Sequence, residues 1–124
     1  MRSLPTQIGE AGELFVSYYL TYHYNIECAL VDRPDDDIWL KTPNRRIRSL
    51  QVKTTSQPHM TRKGPVYRFK IHKNTADLYA FVALDRQVFL LWNAKKINAK
   101  MMTLPAYKFT KVQMHRSIRL GLKL

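Results

Sequence analysis

Hydrophobic and polar residues alternate along two stretches within residues 35–55, separated by turn-forming residues at 42–45. Successive side chains of a strand point to opposite faces, so Ile38 and Leu40 share one face of the first stretch. Leu50 and Val52 share one face of the second stretch. The pattern predicts a β-hairpin with a buried apolar side and a turn at Thr-Pro-Asn-Arg.

The opposite side of this hairpin carries three chemically useful residues, Asp37, Gln51 and Lys53. Two strand pairings keep the apolar residues on a common face, one with Asp37 opposite Gln51 and the other with Asp37 opposite Lys53. Directly opposite residues have Cβ atoms roughly 5 Å apart. Either pairing therefore gathers an acid, an amide and a lysine into one polar cluster.

The remaining pattern predicts six more elements. These are a helix over 6–23 capped by Thr6, strands over 26–31, 66–73, 79–84 and 88–92, and a short helix over 93–102. The strands over 79–84 and 88–92 are apolar enough to form a central hairpin. Residues 56–65 are polar and are expected to form a loop.

The helix and the chain end carry more specific expectations. Gly9 and Gly12 are poor helix formers, which indicates a close backbone approach to the sheet. In the tail over 107–124, apolar residues fall at every second position, which predicts a strand. The helix residues expected to pack on the sheet are Ala11, Leu14, Phe15, Tyr18, Leu20 and Tyr22, and the alternating tail residues are Ile118, Leu120, Leu122 and Leu124.

Length and composition fit one domain, residues 1–124, with a core over about 5–92 and a basic extension over about 93–124. No apolar stretch approaches the roughly 20 residues of a membrane span, and the amino terminus lacks a signal-peptide core. The single cysteine, Cys28, excludes an internal disulfide and a cysteine-based zinc site. We therefore expect a cytoplasmic protein with a reduced core thiol.

The charge balance points to a polyanionic partner. Lys and Arg number 21 against 9 Asp and Glu, which gives a formal net charge of +12. Nucleic acid is the expected partner, although a small RNA-binding structural protein would carry the same charge. The candidate contacts lie in the predicted turn, the polar loop and the outer face of the following strand, and are Arg45, Arg46, Arg62, Lys63, Arg68 and Lys70.

The hairpin cluster has the donor types that Mg²⁺ prefers, because this ion takes oxygen ligands and keeps several waters. Asp37 supplies a carboxylate, Gln51 an amide oxygen and Val52 a backbone carbonyl. Lys53 is placed to stabilise an attacking hydroxide or the charge that develops on a phosphate. The alternative interpretation is an ordinary half-buried hairpin with a polar outer face.

At these positions the sequence resembles the PD-(D/E)xK nuclease superfamily, in particular small single-domain members similar to archaeal Holliday-junction resolvases. The matching segments are Gly12-Glu13, Asp37-Ile38-Trp39-Leu40 and Gln51-Val52-Lys53-Thr54-Thr55. Residues 76–84 resemble the family's next core strand, although Asp77 has a structural role as an alternative. The resemblance covers roughly residues 5–92.

The resemblance implies an α/β restriction-endonuclease-like core, with a mixed central sheet flanked by helices. It also implies a homodimeric DNA endonuclease that uses Mg²⁺, with Mn²⁺ as a substitute, and acts on DNA such as Holliday junctions. Glu13 would join Asp37, Gln51 and the Val52 carbonyl at the metal, and Lys53 would be catalytic.

Gln51 departs from the commoner family glutamate, and the lost negative charge should weaken metal binding. A DNA-binding module with little or no cleavage activity is therefore the alternative. Asp35 and Asp36 are interpreted as turn residues, with a second metal ligand as the alternative for either.

Overall fold

Two α-helices and eight strands run through residues 4–31, 33, 36–72 and 76–124, the part of the chain that this computed structural model describes. The elements in chain order are α1 (Leu4–Tyr24), β1 (Glu27–Leu30), β2 (Ile38–Lys41), β3 (Ile47–Thr55), β4 (His59–Thr61), β5 (Gly64–Lys70), β6 (Leu78–Ala83), β7 (Val88–Asn93), β8 (Met101–Pro105) and α2 (Lys111–Leu122). Neither helix is long and apolar enough to cross a membrane.

The main sheet has five strands in the order β1-β2-β3-β6-β7. Strands β3 and β6 pair in parallel and the other neighbours pair antiparallel, so the sheet is mixed. Both helices contact β7. From α1, Phe15 packs edge-on against Phe89 at 5.8 Å between ring centroids, and from α2 the Ser117 hydroxyl accepts a hydrogen bond from Leu91 N.

A second sheet, β4-β5-β8, covers the opposite face of the main sheet. Phe69 of β5 lies 4.9 Å from Phe81 of β6 between ring centroids. The buried Tyr67 hydroxyl donates a hydrogen bond to the Asp85 carboxylate at 2.8 Å, which ties β5 to the turn after β6. The expected α/β class with a mixed central sheet is confirmed.

The predicted hairpin is present with the predicted burial. Ile38 pairs with Leu50, and Leu40 and Val52 are buried with them at the core. The turn lies at residues 42–45, where Arg45 N donates to the Thr42 carbonyl at 2.8 Å. The apolar face therefore sets the register, as the alternation predicted.

Helix α1 lies against β3 at Gly12. A Cβ at this position would lie 1.9 Å from Thr54 Oγ1, so only glycine fits without a shift. Val16 and Leu20 continue the buried face. The close approach predicted at Gly12 is confirmed, whereas the one predicted at Gly9 is wrong, because nothing lies within 4 Å of a Cβ there.

Part of the expected packing surface of α1 faces away from the sheet. Leu14, Tyr18 and Tyr22 are 57%, 56% and 73% exposed, so the prediction that they pack on the sheet is wrong. They follow one another at helical spacing and form a separate stripe. Thr6 lies inside the helix, which already includes Leu4, and is not its cap.

The strand predicted for the chain end is wrong, because residues Lys111–Leu122 form α2. Thr110 caps this helix by accepting a hydrogen bond from Gln113 N. Met114, Ile118 and Leu122 recur at helical spacing and are buried, whereas Leu120 is 74% exposed. Ile118 and Leu122 fit both a twofold and a helical period, which is why alternation misled the prediction.

Four smaller expectations also change. The polar loop over 56–65 contains β4, which forms a hairpin with β5. The segment 93–102 holds only a short 3₁₀ helix, Ala94–Lys96, before β8 begins. Strand β6 is buried throughout, but β7 is an edge strand that α2 covers. The predicted strand over 66–73 ends at Lys70, and residue 73 lies outside the described residues.

The packing of α1 on β3 predicts opposite effects on stability when its two glycines are replaced by alanine. Gly12→Ala should lower the free energy of unfolding by about 1–2 kcal/mol, because overpacking outweighs the gain in helix propensity. Gly9→Ala, the matched control, should raise it by up to about 1 kcal/mol. Urea unfolding followed by circular dichroism measures both. Equal effects of the two substitutions would contradict the close contact with Thr54.

Candidate active site

Asp37 lies immediately before β2, beside the middle of β3. The pairing of β2 with β3 ends with Ile38 opposite Leu50, so neither Gln51 nor Lys53 is the ladder partner of Asp37. Asp37 N donates to the Leu50 carbonyl at 3.0 Å, and Asp37 Oδ2 accepts a hydrogen bond from Val52 N at 2.8 Å. Two hydrogen bonds to β3 therefore fix both the backbone and the carboxylate of Asp37.

Glu13 reaches Asp37 from the helix. The two carboxyl groups share a hydrogen bond, and the pKa of Glu13 is raised to about 7. Burial is the largest cause, followed by the charge of Asp37, the hydrogen bond to it, and the charge of Glu10. Two ionised carboxylates this close would repel each other. The shared proton removes one negative charge from the pair, and a bound cation could offset that charge instead.

Gln51 has a neutral side-chain oxygen on β3, the strand next to this pair. Its Oε1 atom is buried and has no hydrogen-bond partner. An unsatisfied buried polar atom costs about 1–3 kcal/mol, so the unpartnered amide oxygen of Gln51 calls for an explanation. We call Glu13, Asp37 and Gln51 the carboxyl–amide cluster.

The Val52 backbone also borders the cluster. The N–H and C=O groups of one strand residue point to the same side, and Val52 N points to Asp37. The opposite side of β3 pairs with β6, as the hydrogen bond from Leu84 N to the Thr55 carbonyl at 2.9 Å indicates. The Val52 carbonyl therefore points toward Asp37 and away from β6.

Lys53 approaches from the face opposite α1. It follows Gln51 by two positions on β3, so the two side chains share a face at roughly 7 Å along the strand. Lys53 is half-buried and is aligned with Phe81, on the side that the second sheet covers. The open edge of β3 next to Asp37 is thus bordered by groups from both faces of the sheet.

The donor types of the cluster are those that a hard divalent cation takes. Its donors are carboxylate, amide and carbonyl oxygens, the set that Mg²⁺ prefers, and Gln51 Oε1 has no other partner. Within the described ranges, no three His, Cys, Asp or Glu side chains form a group that could hold a metal ion. Neutral oxygens and water would therefore have to complete the ligand set.

Thr54 was not singled out as a site residue by the sequence, and Asp36 was considered only as an alternative metal ligand. Thr54 Oγ1 is buried without a hydrogen-bond partner, and the only sequence signal for this contact was the glycine at position 12. Asp36 Oδ2 accepts a hydrogen bond from Trp39 Nε1 at 2.9 Å, while its Oδ1 is buried and unpartnered. Residue 35 lies outside the described residues.

Asp77 has the structural role that the sequence left open. Its carboxylate accepts hydrogen bonds from Ser49 N at 3.0 Å and from Ser49 Oγ, and Asp77 N donates back to Ser49 Oγ at 3.0 Å. Arg48 adds an ion pair at 3.8 Å. Asp77 therefore joins the first residues of β3 and β6 at the end of the sheet away from Lys53.

The six basic residues predicted to contact nucleic acid are all exposed, but they occupy two separate regions. One group lies in the turn between β2 and β3, and the other lies on the β4–β5 hairpin. The first group is Arg45 and Arg46, and the second is Arg62, Lys63, Arg68 and Lys70.

Comparison with known proteins identifies the class of fold. No protein family model matches the chain, and no curated protein sequence is significantly similar to it. Among solved structures, the chain is similar to the bacterial homing endonuclease I-Ssp6803I, with a TM-score of 0.68, 11% identity and 100% of both chains covered. At this identity the similarity establishes the fold, which is a nuclease-like α/β fold.

The raised pKa of Glu13 predicts how stability depends on pH. Glu13 holds its proton more tightly in the folded state than in the unfolded state. Its pKa is about 7 when folded and 4.5 when unfolded. Between these values the folded state binds more protons, so the free energy of unfolding falls as pH rises, and the loss is complete above pH 7. Glu13→Gln should remove this loss.

The measurement is urea unfolding in EDTA across that pH window. The stability difference between Glu13→Gln and the wild type should grow with pH and then level off. Glu10→Gln, one turn earlier on the same helix, is the control and should change the profile less. A constant difference for Glu13→Gln at all pH values would argue against the carboxyl pair.

Proposed function

We propose that this protein is a metal-dependent DNA endonuclease that hydrolyses phosphodiester bonds. The observation that carries the proposal is the Glu13–Asp37 carboxyl pair, with the buried, unpartnered Gln51 Oε1 on the adjoining strand β3. The nuclease-like fold supports it, because the similar structure is a homing endonuclease. The cluster would then be a PD-(D/E)xK-type site in which glutamine replaces the commoner glutamate.

The cluster residues have distinct roles in this proposal. Asp37, Gln51, the Val52 carbonyl and Glu13 would hold Mg²⁺, or Mn²⁺ in its place. When bound, such an ion acidifies a water molecule and offsets the charge on a phosphate. The hydrogen bond from Val52 N keeps the Asp37 carboxylate oriented, and Glu13 would release its shared proton if a cation were held there.

Lys53 would act on the phosphate. Its ammonium group lies on the Gln51 face of β3, where it can stabilise charge that develops on the phosphate oxygens. The net charge of +12 and the exposed basic residues on the β4–β5 hairpin favour a nucleic acid as the substrate. DNA is favoured over RNA by the similarity to a homing endonuclease.

We also propose that the chain acts as a homodimer, which would place two sites on opposite strands of a duplex or a Holliday junction. The stripe of Leu14, Tyr18 and Tyr22 supports this proposal. All three are more than half exposed, and the rings of Tyr18 and Tyr22 stack at 5.8 Å between centroids. Exposed aromatic side chains of this kind are typical of protein interfaces.

A second candidate function is DNA binding without efficient cleavage. Gln51 favours it, because a neutral amide attracts a cation less strongly than a carboxylate does. This candidate requires DNA binding that persists in EDTA and no cleavage with any metal.

Cleavage assays separate the two candidates. With Mg²⁺ or Mn²⁺, the wild type should cut plasmid DNA or a four-way junction, and EDTA should abolish cutting. Asp37→Ala and Lys53→Ala should each reduce the rate by about 100-fold or more, the usual cost of removing a group that stabilises the transition state. Lys41→Ala, a half-buried lysine on β2, is the matched control and should keep its activity. Equal cutting by the wild type and both site variants would refute the assignment.

Gln51→Glu tests the metal ligand directly. An added carboxylate should raise Mg²⁺ affinity by about tenfold or more, since a unit charge close to a cation is worth more than 1.4 kcal/mol. Isothermal titration calorimetry measures the affinity, and cleavage at low Mg²⁺ should rise with it. Gln57→Glu, an exposed glutamine after β3, controls for net charge. Equal affinities for the two variants would place the cation elsewhere.

A further inference from the structure

A basic groove lies at the end of the main sheet where β3 and β6 begin and β7 ends. Its volume is about 1270 Å³, and the helix α2 and the 3₁₀ helix Ala94–Lys96 form its walls. Asp77, which joins β3 to β6, lies in its lining. The carboxyl–amide cluster does not line the groove, so this is a separate surface.

The lining of the groove is strongly cationic. Three elements supply pairs of basic residues, and Lys108 adds another. The acid in the lining, Asp77, is already engaged by Ser49 and Arg48. The pairs are Arg46 and Arg48 at the start of β3, Lys95 and Lys96 from the 3₁₀ helix, and Arg116 of α2 with Lys123, the residue that follows it.

The size and charge of the groove fit a polyanion better than a small ligand. Small-molecule sites usually occupy about 300–1,000 Å³ and are mostly apolar. Here cations face the groove from three elements, and Asn93, Gln113 and Tyr107 add neutral hydrogen-bonding groups. Phosphate oxygens of a nucleic acid backbone are contacted by just these residue types.

We propose that this groove binds the phosphate backbone of duplex DNA at a distance from the bond that is cut. The proposal rests on the proposed function for the identity of the polyanion. It gives the protein two DNA contacts, one at the cleavage site and one at the opposite end of the sheet.

Strand β3 sets the spacing between the two contacts. Arg48 and Lys53 are five residues apart on this strand, which corresponds to about 17 Å of extended chain. A DNA duplex rises 3.4 Å per base pair, so this length spans about five base pairs. The groove should therefore contact phosphates about half a turn of duplex away from the cut.

Equilibrium binding in EDTA tests the groove without cleavage. The probe is a 25-base-pair duplex, with affinity measured by fluorescence anisotropy at several salt concentrations. Each phosphate contact contributes about 0.9 to the slope of log affinity against log salt. The double variant Lys95→Ala/Lys96→Ala should lower the magnitude of the slope by about two and weaken binding by about tenfold or more at physiological salt.

Two further variants make the result specific. Lys100→Ala removes an exposed lysine from the same loop but outside the groove, and should change binding less than the double variant. Arg116→Ala removes a cation from the opposite wall and should lower the slope by about one. Thermal unfolding of each variant checks that the fold is kept.

The outcomes separate this proposal from the proposed function. Unchanged affinity and slope for both groove variants would overturn the groove, even if the wild type cleaves DNA. If the wild type does not cleave DNA with any metal and the groove variants still weaken DNA binding, the result would support the groove and refute the endonuclease. Polyglutamate is the second probe: groove variants that lose polyglutamate binding without loss of DNA binding would assign the groove to an acidic protein and overturn the proposal.

Discussion

The candidate site depends on the close packing of α1 against β3. Gly12 presents bare backbone to Thr54, and any Cβ there would lie 1.9 Å from the threonine oxygen. The next residue is Glu13, so the same contact brings a carboxyl group to Asp37. Core packing and site chemistry are therefore linked by adjacent residues of one helix.

Local patterns predicted the hairpin but not the end of the chain. Both hairpin strands and their turn lie within residues 35–55, and the buried residues allow few registers. In the tail, Ile118 and Leu122 fit a strand and a helix equally, and the exposed Leu120 alone separates them. Whether the tail forms a strand or a helix depends on β7, because Leu91 of β7 is a packing partner for α2.

The composition of the site was easier to predict than its electrostatics. Asp37, Gln51 and Lys53 lie on or next to one hairpin, so alternation alone was enough to predict them close together. The raised pKa of Glu13 and the orphaned oxygen of Gln51 depend on groups from other elements, and no local pattern encodes them. Both features oppose folding, which is the usual character of a site arranged for a ligand rather than for stability.

The second sheet has a consequence for the order in which the protein assembles during synthesis. Its strands β4 and β5 lie between β3 and β6 in the chain, but their third strand, β8, follows β7. A nascent chain that has emerged only as far as β7 would leave β5 as an open edge and the Phe89 face without α2. Residues 101–122 must therefore leave the ribosome before the nuclease-like fold can close on both faces of its main sheet.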